Sequence, residues 1–187
     1  MHSKLLLFSL ISALLPFSQV ARAETVFIDP ATATVSPSQV FTVEVKGSGF
    51  GGVLDGGGFD VSFNPRVLNV ESIKVDTSVW EFAPIDGAID NLNGKITDTE
   101  FNSFVHNNTG SFDIAQISFL SVGAGASNIS LVENQNNPFA SGGNPVTVTF
   151  TEANIISGIF VPLPAPVWLF GAALAGLGAG QRRKQAR

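Results

Sequence analysis

Apolar and polar residues alternate with a period of two along much of the chain between residues 24 and 157. The segments Val40–Lys46, Gly57–Phe63 and Val146–Phe150 show this alternation most strictly. A period of two places successive side chains on opposite faces of a strand, so one face of each segment is directed towards a core. No part of this region sustains the 3.6-residue apolar period of a helix. The inward positions are predicted to be Phe41, Val43 and Val45 in the first segment, and Phe59, Val61 and Phe63 in the second.

Turn signals separate these segments from further predicted strands. Ser36-Pro37-Ser38, Asn64-Pro65 and Asn93-Gly94 each mark a turn. The glycine-rich stretch Gly47–Gly58 and the polar stretch Glu133–Asn144 are interpreted as connections. Eight or nine strands with such punctuation are typical of an antiparallel β-sandwich. The other predicted strands are Thr25–Asp29, Thr32–Val35, Val67–Val75, Lys95–Phe101, Phe112–Val122, Ala126–Val132 and a last strand that continues from Phe150 towards Ile155.

The first 23 residues have the pattern of a secretory signal peptide. Lys4 supplies the positive start, Leu5–Phe17 the apolar core, and Ala21-Arg22-Ala23 a small-x-small cleavage site. The apolar core is too short, and its exit too polar, for a membrane anchor. We therefore expect cleavage after Ala23.

The chain ends in a proline cluster, an apolar run and a basic tail. The run Val167–Gly180 would form roughly 21 Å of helix at about 1.5 Å per residue, short for a bilayer core of about 30 Å. The uncharged window is wider, however, and arginines at its end can reach the lipid headgroups. We predict a short transmembrane helix at about 164–181. The basic residues that would stop it and stay cytoplasmic are Arg182, Arg183 and Lys184.

Charge is distributed unevenly, and cysteine is absent. Between the two ends lie four basic residues and all fifteen acidic ones, a formal charge of −11 for this segment. Such a segment is a poor ligand for nucleic acid, whose binding depends on Lys and Arg meeting phosphates. Without cysteine, the domain has no disulfide, no thiol chemistry and no thiolate metal site. Its stability must come from a packed core, alone or together with a bound metal.

One polar loop contains a candidate calcium site. Asp86, Asp90, Asn93 and Asp98 supply hard oxygen atoms of the kind that calcium prefers. The EF-hand spacing fails, because the twelfth position counted from Asp90 is Phe101 rather than Glu. Turn chemistry by itself also explains Asp and Asn here. Calcium is the only cofactor that the residues suggest, and the alternative is that no cofactor binds.

Two single residues invite a functional interpretation. His106 could act as a base, but no cysteine exists and no serine has the context of a nucleophile, so we expect no enzyme activity. Paired carboxylates for glycoside hydrolysis are not singled out by any pattern. Trp80 could be a platform for a sugar ring, although a core position is the stronger interpretation for so large an aromatic side chain.

The C-terminal stretch resembles the PEP-CTERM family of bacterial sorting signals in its VPLPA variant. The matching residues are Val161, Pro162, Leu163, Pro164 and Ala165, followed by Val167–Gly171 and the basic cluster; Pro166 replaces an expected alanine. The resemblance implies recognition by an exosortase and a protein that passes through the inner membrane to the surface of a Gram-negative bacterium. It covers about 27 residues and says nothing about the domain that precedes them.

The central region resembles the cohesin family, whose members are nine-stranded jelly-roll sandwiches, and the related carbohydrate-binding superfamily. The matching segments are Phe41–Val45, Gly58–Leu68 with its Phe-Asn-Pro turn, Ile114–Phe119 and Gly125–Leu131. Together they span most of residues 25–155. The resemblance implies an antiparallel jelly-roll fold and, more weakly, binding to a dockerin.

These observations predict three regions: a signal peptide at 1–23, a cohesin-like sandwich at 24–157, and a sorting signal at 158–187. We expect an exported surface or matrix module that mediates adhesion or assembly through a protein partner. The alternative is a module that binds a polysaccharide. An exosortase and the membrane are the further expected partners.

Overall fold

The computed structural model describes residues 23–158, which form thirteen strands and contain no helix. The predicted signal peptide before Ala23 and the predicted sorting signal and transmembrane helix lie outside the described residues. Within residues 23–158 there is no helix that could cross a membrane. The strands are β1 (Thr25–Asp29), β2 (Thr32–Val35), β3 (Val40–Phe50), β4 (Gly56–Ser62), β5 (Leu68–Val75), β6 (Ala88–Asp90), β7 (Lys95–Asn102), β8 (Gly110–Ser121), β9 (Gly125–Glu133), β10 (Ala140–Ser141), β11 (Asn144–Pro145), β12 (Thr149–Thr151) and β13 (Ala153–Ser157).

The strands form two sheets that pack as a sandwich, which confirms the predicted all-β architecture. The first sheet has the order β12-β1-β3-β8-β5. The second has the order β6-β7-β4-β9-β13-β2, with the short β10–β11 hairpin beside the start of β4. Most neighbours are antiparallel, as predicted. Two pairs are parallel, β1 with β12 and β13 with β2, and the strands number thirteen, so the predicted antiparallel sandwich of eight or nine strands was wrong in these two respects.

Both ends of the described chain cross from one sheet to the other. β1 belongs to the first sheet and β2 to the second; β12 and β13 repeat this change beside them. The predicted single strand from Val146 to Ile155 is therefore two strands. A strand that moves to the opposite sheet finds the core on its other side, so its buried positions must change parity. The core residues of β1 have even numbers, Val26 and Ile28, and that of β2 is the odd-numbered Val35. The same change occurs between Phe150 in β12 and Ile155 in β13.

Aromatic side chains fill one half of the core. Trp80 is fully buried; its ring centroid lies 4.6 Å from that of Phe101 and 5.3 Å from that of Phe112. Its Nε1 donates a hydrogen bond to the carbonyl of Asp113 at 2.8 Å. The core interpretation of Trp80 is thus confirmed, and a role as a sugar platform is wrong. Phe139 is also fully buried, although it lies in the stretch predicted as a polar loop.

Glycines lie inside strands β3 and β4, where the sequence predicts a connection. A Cβ atom at Gly47 would lie 2.2 Å from Cε2 of Phe112, and one at Gly57 would lie 2.8 Å from Cγ of Phe139. Each glycine therefore leaves room for an aromatic ring from a neighbouring element. The connection predicted at Gly47–Gly58 is limited to residues 51–55, between the end of β3 and the start of β4.

Candidate functional site

Of the residues predicted to bind calcium, Asp90 and Asn93 contact each other, whereas Asp86 and Asp98 each have other partners. Asp86 lies beside the edge strand β5, where its Oδ1 accepts a hydrogen bond from Val75 N at 2.9 Å and its Oδ2 pairs with Lys74 Nζ. Burial opposes the ionisation of Asp86, but these two donors outweigh it and hold its pKa below the usual range. The Asp86 carboxylate therefore stabilises the edge of a sheet.

Asp90 closes the turn between β6 and β7. Its carboxylate accepts hydrogen bonds from the side chain and the backbone N–H of Asn93 and from the N–H of Leu92. The Asn93 side chain makes the largest contribution to the lowered pKa of Asp90. The neighbouring Asn91 bonds both the N–H and the carbonyl of Val70 on β5, at 2.7 and 3.0 Å. Asp90 therefore stabilises the turn, and Asn91 pairs the backbone groups of Val70 on the edge strand β5.

Asp98 belongs to a different cluster. It lies at an irregular position in β7, with a φ of 58°, and its N–H donates to Oδ1 of Asp60 on β4. The buried amide of Asn134 donates to both carboxylates, at 3.2 Å to Asp60 and 2.9 Å to Asp98. Asn134 thus fastens the loop after β9 to the outer surface of the second sheet. Sequence reasoning missed this role because an Asn after a strand is indistinguishable from an ordinary turn residue.

The predicted calcium site is therefore not assembled. Each carboxylate of the loop is already occupied by donors from the protein. Within residues 23–158, no three His, Cys, Asp or Glu side chains lie close enough together to hold a metal ion.

The outer surface of β9, β4 and β7 forms a shallow acidic face. Asp60 lies opposite Val132 and Ser62 opposite both Ser130 and Lys95. The face contains a depression of about 290 Å³ lined by Asp60, Ser62, Lys95, Thr97 and Val132, among others. Val132 is 57% exposed in spite of its apolar side chain.

Negative charge dominates the strands that surround this depression. Lys95 is the single basic residue on β4, β6, β7 and β9. The acidic residues on the same strands are Asp60, Asp90, Asp98, Glu100 and Glu133. A partner that covers the acidic face must therefore bring positive charge or good hydrogen-bond donors.

A second surface lies at the end of the sandwich formed by the loops after β3, β5, β7 and β9. His106 is here, in an exposed loop, with Nδ1 3.0 Å from Oε2 of Glu81. Glu81 also accepts hydrogen bonds from the N–H groups of Phe104 and Val105, at 2.7 and 3.2 Å. The hydrogen bond from the N–H of Phe104 is the main reason that the pKa of Glu81 is lowered to about 2. The ring of His106 therefore contacts Glu81, whereas Ser103 Oγ accepts the backbone N–H of His106 and not a ring hydrogen.

At the start of the described chain, the predicted cleavage residue Ala23 is exposed, and its carbonyl accepts a hydrogen bond from Oγ1 of Thr25. The predicted sorting residues Val161–Ala165 and the basic residues 182–184 lie outside the described residues.

Comparison with solved structures identifies the architecture. The sixth cohesin of scaffoldin B from Acetivibrio cellulolyticus, solved with a Cel5 dockerin, superposes with a TM-score of 0.60 and 16% identity over 73% of this chain and 99% of its own. The OlpA cohesin in a type I cohesin–dockerin complex from Clostridium thermocellum gives 0.61 and 12%, over 73% of this chain and 99% of that one.

This chain has the cohesin fold. The cohesin CaCohA2 from Clostridium acetobutylicum agrees, with a TM-score of 0.59 and 17% identity over 75% of this chain and 95% of that one. No protein-family model matches the sequence, and no curated protein does. At these identities the similarity to cohesins establishes the fold.

Proposed function

We propose that this chain is an exported, non-enzymatic assembly module that binds a protein partner through the acidic face. The observation that carries the proposal is the exposed Val132, which lies beside Asp60 and Ser62 on the outer surface of the second sheet. Two of the structurally similar cohesins are described in complexes with dockerins, which supports a protein as the partner.

The shape of the acidic face favours a macromolecule over a small ligand. Sites for small molecules are concave clefts of about 300–1,000 Å³ that bury most of the ligand. The depression here has a volume of about 290 Å³, just below this range. A protein surface can instead cover the whole face, placing an apolar group on Val132 and basic groups near the acids around it.

We further propose that the two ends of the chain deliver this module. The signal peptide 1–23 would start export, and the segment 158–187 would hold the domain at the inner membrane until an exosortase acts near Val161–Ala165. Support for this comes from the residues themselves, since three prolines, an uncharged run and a basic tail follow one another. The mature protein should then lack Arg182–Arg187, which the intact mass of the exported form measures.

A photo-crosslinking residue in place of Val132 tests the partner site in cells. We expect it to capture a defined protein on the cell surface or in the matrix, identified by mass spectrometry. The matched control replaces Ser72, an exposed residue on the opposite sheet. Equal capture from both positions, or none from Val132, would contradict the proposal. Retention of the purified segment 24–158 on a polysaccharide would favour the alternative of carbohydrate binding.

A further inference from the structure

Two aromatic rings and one valine are exposed together at the loop end of the sandwich. Phe104 and Val105 are each 76% exposed, and Phe82 is 48% exposed. The ring centroids of Phe82 and Phe104 are 4.3 Å apart, and the ring planes are tilted by 56°. We call these three residues the aromatic tip. Single exposed apolar residues are common, but neighbouring ones that form a patch indicate an interaction site.

Hydrogen bonds to the backbone hold the aromatic tip in a fixed geometry. Glu81 accepts hydrogen bonds from the N–H groups of both Phe104 and Val105. The N–H of Phe82 donates to the carbonyl of Asn102 at 3.0 Å. A surface that is already ordered loses little conformational entropy when it binds a ligand. These contacts therefore favour recognition by the tip.

The area of the aromatic tip is too small for a contact between two folded proteins. An aromatic side chain has about 150–250 Å² of surface, so at these exposures the three residues present on the order of 350 Å². A standard interface buries about 800 Å² on each partner. A short extended segment that makes contact through a few side chains fits the area of the tip.

Negative charge lies beside the aromatic tip and is not neutralised by Lys or Arg. The carboxylate of Glu81 is 2.7 Å from Phe104 N, and its pKa of about 2 keeps it ionised at neutral pH. Asp55 is also near, since its carbonyl accepts the N–H of Ser103 at 2.8 Å. Within residues 23–158, neither acid pairs with a Lys or Arg. The loops at this end contain no basic residue at all; they are residues 51–55, 76–87, 103–109 and 134–139.

This charge decides which ligands the aromatic tip favours. Anionic lipids and polyanions need Lys or Arg on the protein that binds them. A second copy of the tip would bring the same acids against each other. A cationic group, in contrast, is attracted by the ionised carboxylates.

The two rings add an independent preference for a cation. A guanidinium or ammonium group within about 6 Å of a ring centroid is attracted by the face of the ring. Because the centroids of Phe82 and Phe104 are 4.3 Å apart, one cation can lie within this distance of both. A guanidinium is favoured over an ammonium, because it is planar, stacks on aromatic rings and is more weakly hydrated. The Glu81 side chain is 30% exposed, so a cation at the tip can also approach its carboxylate.

The aromatic tip is accessible when the chain beyond residue 158 is attached elsewhere. Strand β8 starts at Gly110, directly after the loop that contains Phe104, and ends at Ser121, whose side chain bonds that of Ser157. Its 12 residues span roughly 36 Å at about 3.3 Å per residue. The tip and the end of the described chain are therefore at opposite ends of the sandwich.

We infer that the aromatic tip binds an arginine side chain in a short extended segment of another protein. The charge, the pair of rings and the small area each favour this occupant. The basic residues 182–184 and 187 of this chain are no alternative, because under the proposed function they are removed from the mature protein. Only this last step rests on the proposed function. The tip is a second surface, made of other residues than the acidic face around Val132.

Selection of short random peptides, displayed on phage, against the immobilised exported protein tests the inference. The enriched peptides should carry Arg beside an apolar residue, and Gln in place of that Arg should weaken the binding of the synthetic peptide about fivefold or more. The double variant Phe104→Ser, Val105→Ser should lose this binding and keep its melting temperature, because both side chains are exposed. The matched control Val132→Ser removes an exposed apolar residue from the acidic face and should bind the peptide normally.

A pair of charge variants tests the role of the carboxylate. Glu81→Gln keeps an acceptor for the N–H of Phe104 and removes the charge. It should weaken the binding of the Arg peptide more than Glu71→Gln, which removes an exposed charge from β5 in the other sheet. Binding to the wild type should also fall as salt is added, because salt screens exposed charges.

The inference is overturned if no peptide is enriched, if the enriched peptides lack Arg, or if the tip variant binds them as the wild type does. Binding that does not respond to salt would overturn it as well. Tip-dependent binding of dextran without a preference for Arg peptides would replace the segment by a neutral glycan. The intact mass of the same preparation shows whether the basic tail was removed, so a failure of the proposed function is recognised separately.

Discussion

The contact between Gly47 and Phe112 predicts that the effect of Gly47→Ala on stability depends on whether the Phe112 ring is present. A Cβ atom at Gly47 would lie 2.2, 2.7 and 2.9 Å from three atoms of the Phe112 ring and meets nothing else closer. Overpacking of this kind costs typically about 1–3 kcal/mol, so Gly47→Ala should destabilise the domain by that amount. The ring has little room to move, since its centroid lies 4.9 Å from that of Phe50.

The same substitution should be harmless once the ring is gone. Glycine inside a strand costs roughly 0.5–1 kcal/mol relative to alanine, because the unfolded chain loses more freedom. In a Phe112→Ala background, Gly47→Ala should therefore be neutral or stabilising by about 0.5–1 kcal/mol. The coupling free energy between the two positions is then about 1–4 kcal/mol, which a double-mutant cycle resolves.

Urea unfolding of the four variants measures this cycle. Fluorescence of Trp80, which packs against Phe112, reports the transition, and residues 24–158 contain no other tryptophan. Gly51→Ala is the matched control, because nothing lies within 4 Å of a Cβ atom there and it should not destabilise. If Gly47→Ala lowered the free energy of unfolding equally in both backgrounds, the steric explanation would be refuted, and the backbone conformation at Gly47 would be the cause.

Three further predictions concern polar contacts. Asn91→Ala removes two hydrogen bonds to the edge strand β5 and should cost about 1–3 kcal/mol in urea unfolding, with faster aggregation by light scattering. Asn134→Asp places a third carboxylate beside Asp60 and Asp98, so it should destabilise more than Asn134→Ala at neutral pH, and the gap should close as the pH falls. The pKa of Glu81 is lowered from 4.5 to about 2, so its contribution to the free energy of unfolding is complete above pH 4.5 and is lost as the pH falls towards 2. Glu81→Gln should therefore make the free energy of unfolding less dependent on pH between 4.5 and 2. An unchanged pH profile would contradict this role of Glu81.

The strands were predictable because their alternation is a local property of the chain. Val43, Val45, Phe59 and Val61 are buried as their spacing indicates. The sequence does indicate that the last two strands belong to different sheets, because the core position changes from an even number at Phe150 to an odd number at Ile155. Sequence reasoning treated these positions as one strand because it did not follow the parity through Glu152.

The site was less predictable because its interactions are long-range. The acids of the loop Asp86–Asp98 suggest a metal by composition, but the fold gives each one a separate donor. Glu81 and Phe104 are 23 residues apart, and their hydrogen bond depends on the packing of two loops. No local pattern encodes such a contact, so the arrangement of these two loops appears only in the structure.

The two parallel pairs at the chain ends have a mechanical consequence. β13 lies between β9 and β2, and its hydrogen bonds run across the direction of the strand. A force that pulls residue 158 away from the loop 103–109, at the opposite end of β8, acts along β13. It therefore loads the hydrogen bonds on both sides of β13 together and does not open them one after another. Force spectroscopy between these two points should show a single high-force rupture, and gradual peeling at low force would contradict this. A domain built in this way can bear tension between the loop end of the sandwich and the chain that follows residue 158.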